Sequence, residues 1–120
     1  LASDVVGKCD ENIACYLAKI QEPAAQTEKS QFIGIKSAYM LGVLGSDQTH
    51  MQIVQALPKI RNAAVRFAAV SAIDHLVRAS GAAVADALQK VVDENKSKDD
   101  RDMMQADAPV KEIIHRLRAR

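Results

Sequence analysis

A chain of 120 residues is one domain by size, and it can bury roughly two-thirds of its unfolded surface. Lys and Arg number 16 against 15 Asp and Glu, so the formal charge of +1 gives no general attraction to nucleic acid or an anionic membrane. The apolar share is 48%, yet aromatics make up 3% and Trp is absent, while Ala fills 20 positions, which favours helix over strand. No apolar run approaches the roughly 18 residues that a membrane span needs, and no signal peptide is recognisable. The chain opens on Leu1 rather than Met, as expected of a cut or processed piece.

Caps and breakers place six helical segments in chain order. After an N-terminal extension over 1–9, the first runs from about Asp10 to Ile20 and stops before "QEPAAQTE". The second covers about Glu28 to Leu44 and ends at Gly45; the third starts on Asp47 as N-cap and ends near Leu57-Pro58. Asn62 caps the fourth, which ends near Arg78 ahead of Ser80-Gly81. The fifth spans about Ala82 to Asn95, and "KSKDDRDMMQA" after it, charged and without period, reads as a loop. The sixth begins at Asp107, with Pro109 in its first turn where proline is tolerated, and runs to the end of the chain.

The second, fourth and sixth segments share a local pattern: "IKSAYMLGVLG" from Ile35, "VRFAAVSAIDHL" from Val65 and "VKEIIHRLRAR" from Val110. Each opens on a β-branched residue followed by Lys or Arg, at offsets of 30 and 45 residues. With a partner helix before each, the expectation is three hairpins over about 10–45, 47–79 and 81–120. On a helical wheel the fourth segment is apolar over more than half its circumference, with Ser71, Asp74, His75 and Arg78 as a narrow polar strip. Arg66 falls between Ile73 and Val77, which predicts a guanidinium lying in the seam between repeats against carbonyls or a carboxylate. The sixth segment has one stripe, Val110, Ile113, Ile114 and Leu117, as a terminal capping helix should.

This pattern resembles the HEAT-repeat α-solenoids, including the phycobilisome-lyase-like repeats, over about residues 10 to 120. "RNAAVRFAAVSAIDHL" looks like the second helix of such a unit with its Val-Arg pair, and "CDENIACYL" together with "RLRAR" is similar to small bacterial HEAT proteins. One departure stands: Ile60-Arg61-Asn62 occupies the turn where family members often place an acidic residue. The resemblance implies an all-α superhelix of three hairpins and a non-enzymatic protein-interaction or scaffolding role. The competing class is an enzyme or nucleic-acid processor on the same scaffold.

Candidate chemistry is sparse. Cys9 and Cys15, the two cysteines, are either buried thiols or a local disulfide; a bridge implies a periplasmic or cell-envelope setting, free thiols a cytoplasmic one. Four zinc ligands cannot be gathered around them. Glu112 and His115 have the Glu-x-x-His spacing of di-iron bundles, but such sites need two of these motifs and two further glutamates. Asp74-His75 lacks a placed nucleophile, Ser71 included. No cofactor, metal or nucleic acid is therefore expected, and the partner is a protein. Second helices line the concave side of a solenoid, so the offsets assign the partner face to Leu41, Leu44, Ser71, Asp74, His75, Arg78, Glu112 and Arg116. The alternative is that Leu41 and Leu44 lie covered by the first helix or by an N-terminal segment.

Overall fold

The computed structural model describes residues 9–21, 28–46, 48–77 and 81–120, all of them in helices, turns or short connections. Its elements are α1 (Ile13–Gln21), α2 (Glu28–Leu44), α3 (Thr49–Ala56), a 3-10 turn (Leu57–Lys59), α4 (Ala63–Leu76), α5 (Ala82–Ser97), α6 (Arg101–Ala106) and α7 (Ala108–Ala119). Asp47, expected as a cap, lies outside the described residues, as do residues 1–8 of the extension.

Local signals explain the helix starts. Asn62 accepts from the backbone N–H groups of Ala64 and Val65, satisfying two donors that no helical carbonyl reaches. Asn12 does the same for Cys15 N–H at the start of α1. Residues 96–106, read from the sequence as a loop, are mostly helical. α5 continues to Ser97, the chain turns at Lys98 and Asp99 (φ 52°), and Asp100 caps α6 by accepting from Met103 N–H. Charge masked this helix in the sequence, because its one inward anchor, Met103, is 1% exposed among polar neighbours.

The helices pack in two rows. α1, α3 and α5 touch in succession, as do α2, α4 and α7, and each row packs on the other through α1–α2, α3–α4 and α5–α7. Along the second row the contacts advance in one direction: Gly34 meets Val65 while Gly42 meets Ala72, and Arg66 meets Asp107 while Asp74 meets Arg116. Those three helices therefore run parallel. The body measures 38 × 32 × 17 Å, its thin dimension suiting two helix layers at the usual spacing of roughly 8–10 Å. One continuous apolar cluster, from Tyr16 and Ile20 through Leu41, Ile53 and Ile73 to Leu88 and Leu117, fills the space between the rows.

Arg66 is the largest side chain in that interior and is 0% exposed. Its Nη1 donates to the carbonyls of Leu57 (2.6 Å) and Ile60 (3.4 Å), and its Nε and Nη2 donate to Asp107 Oδ1 at 3.2 and 2.6 Å. The second oxygen of Asp107 accepts from Asn95 Nδ2 at 2.8 Å. Asp107 stands three residues before Val110-Lys111, and its carboxylate reaches back to the preceding pair of helices rather than capping its own α7. Outside this pair, Arg61 grips Asp100 at 2.7 Å, and that hydrogen bond holds the Asp100 carboxyl below the usual aspartate range.

The cysteine alternatives resolve to a pair at bonding distance, Sγ to Sγ 2.04 Å. The bridge closes a turn in which Asn12 N–H donates to Cys9 O and the Tyr16 hydroxyl donates to Asp10 O at 2.6 Å. Cys9 is buried and Cys15 half-buried against the core.

Two outcomes are expected. Arg66→Ala strands a buried carboxylate and two carbonyls, so it should cost about 3–5 kcal/mol in urea unfolding, whereas Arg66→Met combined with Asp107→Leu should cost less than the single change. Unreduced protein should resist thiol alkylation and weigh two hydrogens less than reduced protein; Cys9→Ala with Cys15→Ala should lose about 2 kcal/mol.

Candidate functional site

α2 is apolar on two opposite sides. Gly34, Ser37, Ala38 and Leu41 are buried, while Phe32, Ile35, Tyr39 and Val43 are exposed. Leu41, expected on the partner face, is 0% exposed, and Leu44 is half-buried against the core. The reason is register. The buried set Gly34, Ser37, Ala38 and Leu41 corresponds to Arg66, Ala69, Val70 and Ile73 of α4, a spacing of 32 residues rather than 30. Two residues are about 200° of helix, so the sequence offset carried inward-facing leucines onto the outer surface.

At the corrected spacing Ile35, Tyr39 and Val43 face Phe67, Ser71 and His75 across the line where α2 and α4 meet. Each set repeats every four residues, so each forms a ridge on successive turns. Between the ridges lies an open trough of about 660 Å³, floored by Gly42, Ala64, Ala68 and Ala72. Small residues make it: a Cβ on the floor residue Gly42 would stand 3.5 Å from that of Ala72, and at the buried contact beneath, one on Gly34 would stand 2.5 Å from Val65 Cγ2. Tyr39 is 61% exposed and Phe67 57%, and Lys36 Nζ lies 5.5 Å from the centre of the Tyr39 ring.

The remaining candidates gather one step further along. Arg116 donates to Asp74 and to Glu112, each at 3.3 Å, and Arg120 donates to Asp74 Oδ1 at 2.6 Å and to the Val77 carbonyl at 2.8 Å. These bonds run over a smaller hollow of about 160 Å³ between α4 and α7, which Phe67 and Ser71 share with the larger trough. Ser71 and His75 are exposed on the α4 ridge; Arg78 lies outside the described residues. Asp74 is thus engaged by two guanidinium groups and does not orient His75 as a catalytic base. Among the described residues no three His, Cys, Asp or Glu side chains stand close enough to hold a metal ion, and no helix is long and apolar enough to cross a membrane. The arrangement offers apolar and aromatic surface with a few polar groups at its edge.

The sequence reading missed Ile35, Tyr39, Val43 and Phe67. Phe67 was legible, since it sits four residues before Ser71 on the line of the polar strip. The α2 set was legible only as a helix with apolar residues on both sides, and the wheel cannot say which side faces in.

The architecture defines an all-α protein of two helix rows. Set against protein-family models, curated proteins and solved structures, the chain matches none.

Gly34→Ala and Gly42→Ala should move stability in opposite directions. The first forces a methyl into a short β-branched neighbour and should cost about 1–3 kcal/mol. The second meets ordinary contact and removes a helical glycine, so it should add about 0.5–1 kcal/mol; urea midpoints of the two variants check both signs.

Proposed function

We propose that this chain is a non-enzymatic protein-interaction module of HEAT-like build, and that it docks a partner in the trough between α2 and α4. The observation that carries the reading is the distribution of exposed large apolar side chains. Among the described residues all five, Phe32, Ile35, Tyr39, Val43 and Phe67, belong to these two helices. Scattered exposed apolar residues need no explanation, but four of these, Ile35, Tyr39, Val43 and Phe67, line one trough, and a contiguous set with two aromatics marks a binding surface. The HEAT-like part is supported by the parallel row of α2, α4 and α7 and by Asp107, an acidic residue in the turn before Val110-Lys111, reaching Arg66 of the preceding pair. The Cys9–Cys15 pair suits an oxidising compartment, the periplasm or cell envelope.

The test is site-specific photocrosslinking in the source cell, followed by reconstitution with the purified partner. Benzoylphenylalanine in place of Phe67 should trap a defined protein, and the same replacement of Lys90, exposed on α5, should not. Tyr39→Ser with Phe67→Ser should then weaken binding of that protein at least tenfold, about 1.4 kcal/mol, and shift folding stability by no more than about 0.5 kcal/mol per site. Undiminished affinity in the double variant contradicts the reading.

A further inference from the structure

We infer that the occupant of the trough is an amphipathic helix of the partner, seated by an aliphatic stripe and carrying acidic side chains along the flank that overlies α2. The inference rests on the docking reading and adds the chemistry of what docks.

Backbone hydrogen bonding decides the form of the occupant. Both walls of the trough are helices, whose backbone groups are satisfied within the helices themselves. They offer no edge with which an extended peptide can pair. A strand entering this apolar surface would leave its own N–H and C=O groups without partners, each at the desolvation cost of an unmade hydrogen bond. A helix brings its backbone already paired. The shape agrees: the ridges of Ile35, Tyr39 and Val43 and of Phe67, Ser71 and His75 repeat every four residues, a rise of about 6 Å per step. A third helix can lay its own i, i+3, i+4 and i+7 side chains between two such ridges.

Charge decides the flank. Lys29 and Lys36 stand exposed two turns apart on α2, on the side away from α4, and neither forms an ion pair among the described residues. Across the trough Asp74 and Glu112 are already held by Arg116 and Arg120. α2 also exposes Glu28, two turns before Ile35, so its flank carries two lysines against one carboxylate, and the net charge beside the trough is positive on the α2 side. Acidic residues on that flank of the incoming helix complement it, and basic ones are repelled.

The test uses three synthetic peptides sharing one leucine stripe at i, i+3, i+4 and i+7. One carries Glu on its flank, one carries Lys, and one is the Glu peptide with a central proline. Binding is read by fluorescence anisotropy at low salt and helix formation by circular dichroism. The Glu peptide should bind and gain helix, about fivefold tighter than the Lys peptide, with the preference inverted on Lys29→Glu with Lys36→Glu. The proline peptide should fail. Equal binding of the Glu and Lys peptides, both lost on Phe67→Ser, overturns the acidic flank and leaves the docking trough standing. Undiminished binding of the proline peptide overturns the helix. If no peptide binds while position 67 still crosslinks a partner, the occupant chemistry is wrong and the docking reading survives. If neither occurs, the docking reading falls as well. A dimer in sedimentation that Phe67→Ser dissociates puts a second copy of this chain in the trough and overturns the inference.

Discussion

The guanidinium of Arg66 sits at the point where the second and third helix pairs meet, without contact with solvent. A charge in such a place destabilises a fold by several kcal/mol unless acceptors surround it. Here two segments send them, the turn after α3 with its carbonyls and the stretch between α6 and α7 with the carboxylate of Asp107, whose other oxygen accepts from the Asn95 amide near the end of α5. The geometry ties the position of α7 to that of α4. It also explains the short α6, which spans the gap between the end of α5 and Asp107 and is anchored by Met103. The absence of a side-chain cap on α7 has the same origin, because the residue at that position bonds Arg66 and Asn95 instead.

Close approach along the outer row has a second consequence. Gly34 and Gly42 let α2 lie directly on Val65 and Ala72. Helices that approach through small residues leave their larger side chains standing on either side of the contact, inward as core and outward as ridges. On the inner side the ridges are covered by α1 and α3. On the outer side, among the described residues, Ile35, Tyr39, Val43 and Phe67 are left uncovered. The neighbouring hollow between α4 and α7 differs because Arg116 and Arg120 reach across from the end of α7 to Asp74 of α4. Two adjacent hollows of one row thus have different chemistry, one apolar and open, one crossed by ion pairs.

Much of the helix plan was legible from residues acting locally. Asn62 caps α4 by its own side chain, Pro109 sits where a first turn admits it, and the single stripe of Val110, Ile113, Ile114 and Leu117 points one way only. Arg66 was legible as a seam residue because it falls among apolar neighbours on the wheel and its long stem and fork of donors suit such a place. Its partner was not, since Asp107 lies 41 residues away and nothing local marks an aspartate as the one that turns inward.

Sequence by itself determined the helical class, most helix limits, the buried arginine and the nearness of Cys9 to Cys15, because each follows from contacts within a few residues of chain. Tertiary structure alone decided which side of α2 faces the core. Its two apolar sides give no local preference, and only packing against α1 and α4 separates Leu41 from Tyr39. The same packing decided the site. Spacings of 30 and 32 residues point to opposite sides of a helix, and the burial of Gly34, Ser37, Ala38 and Leu41 alongside that of Arg66, Ala69, Val70 and Ile73 follows the second.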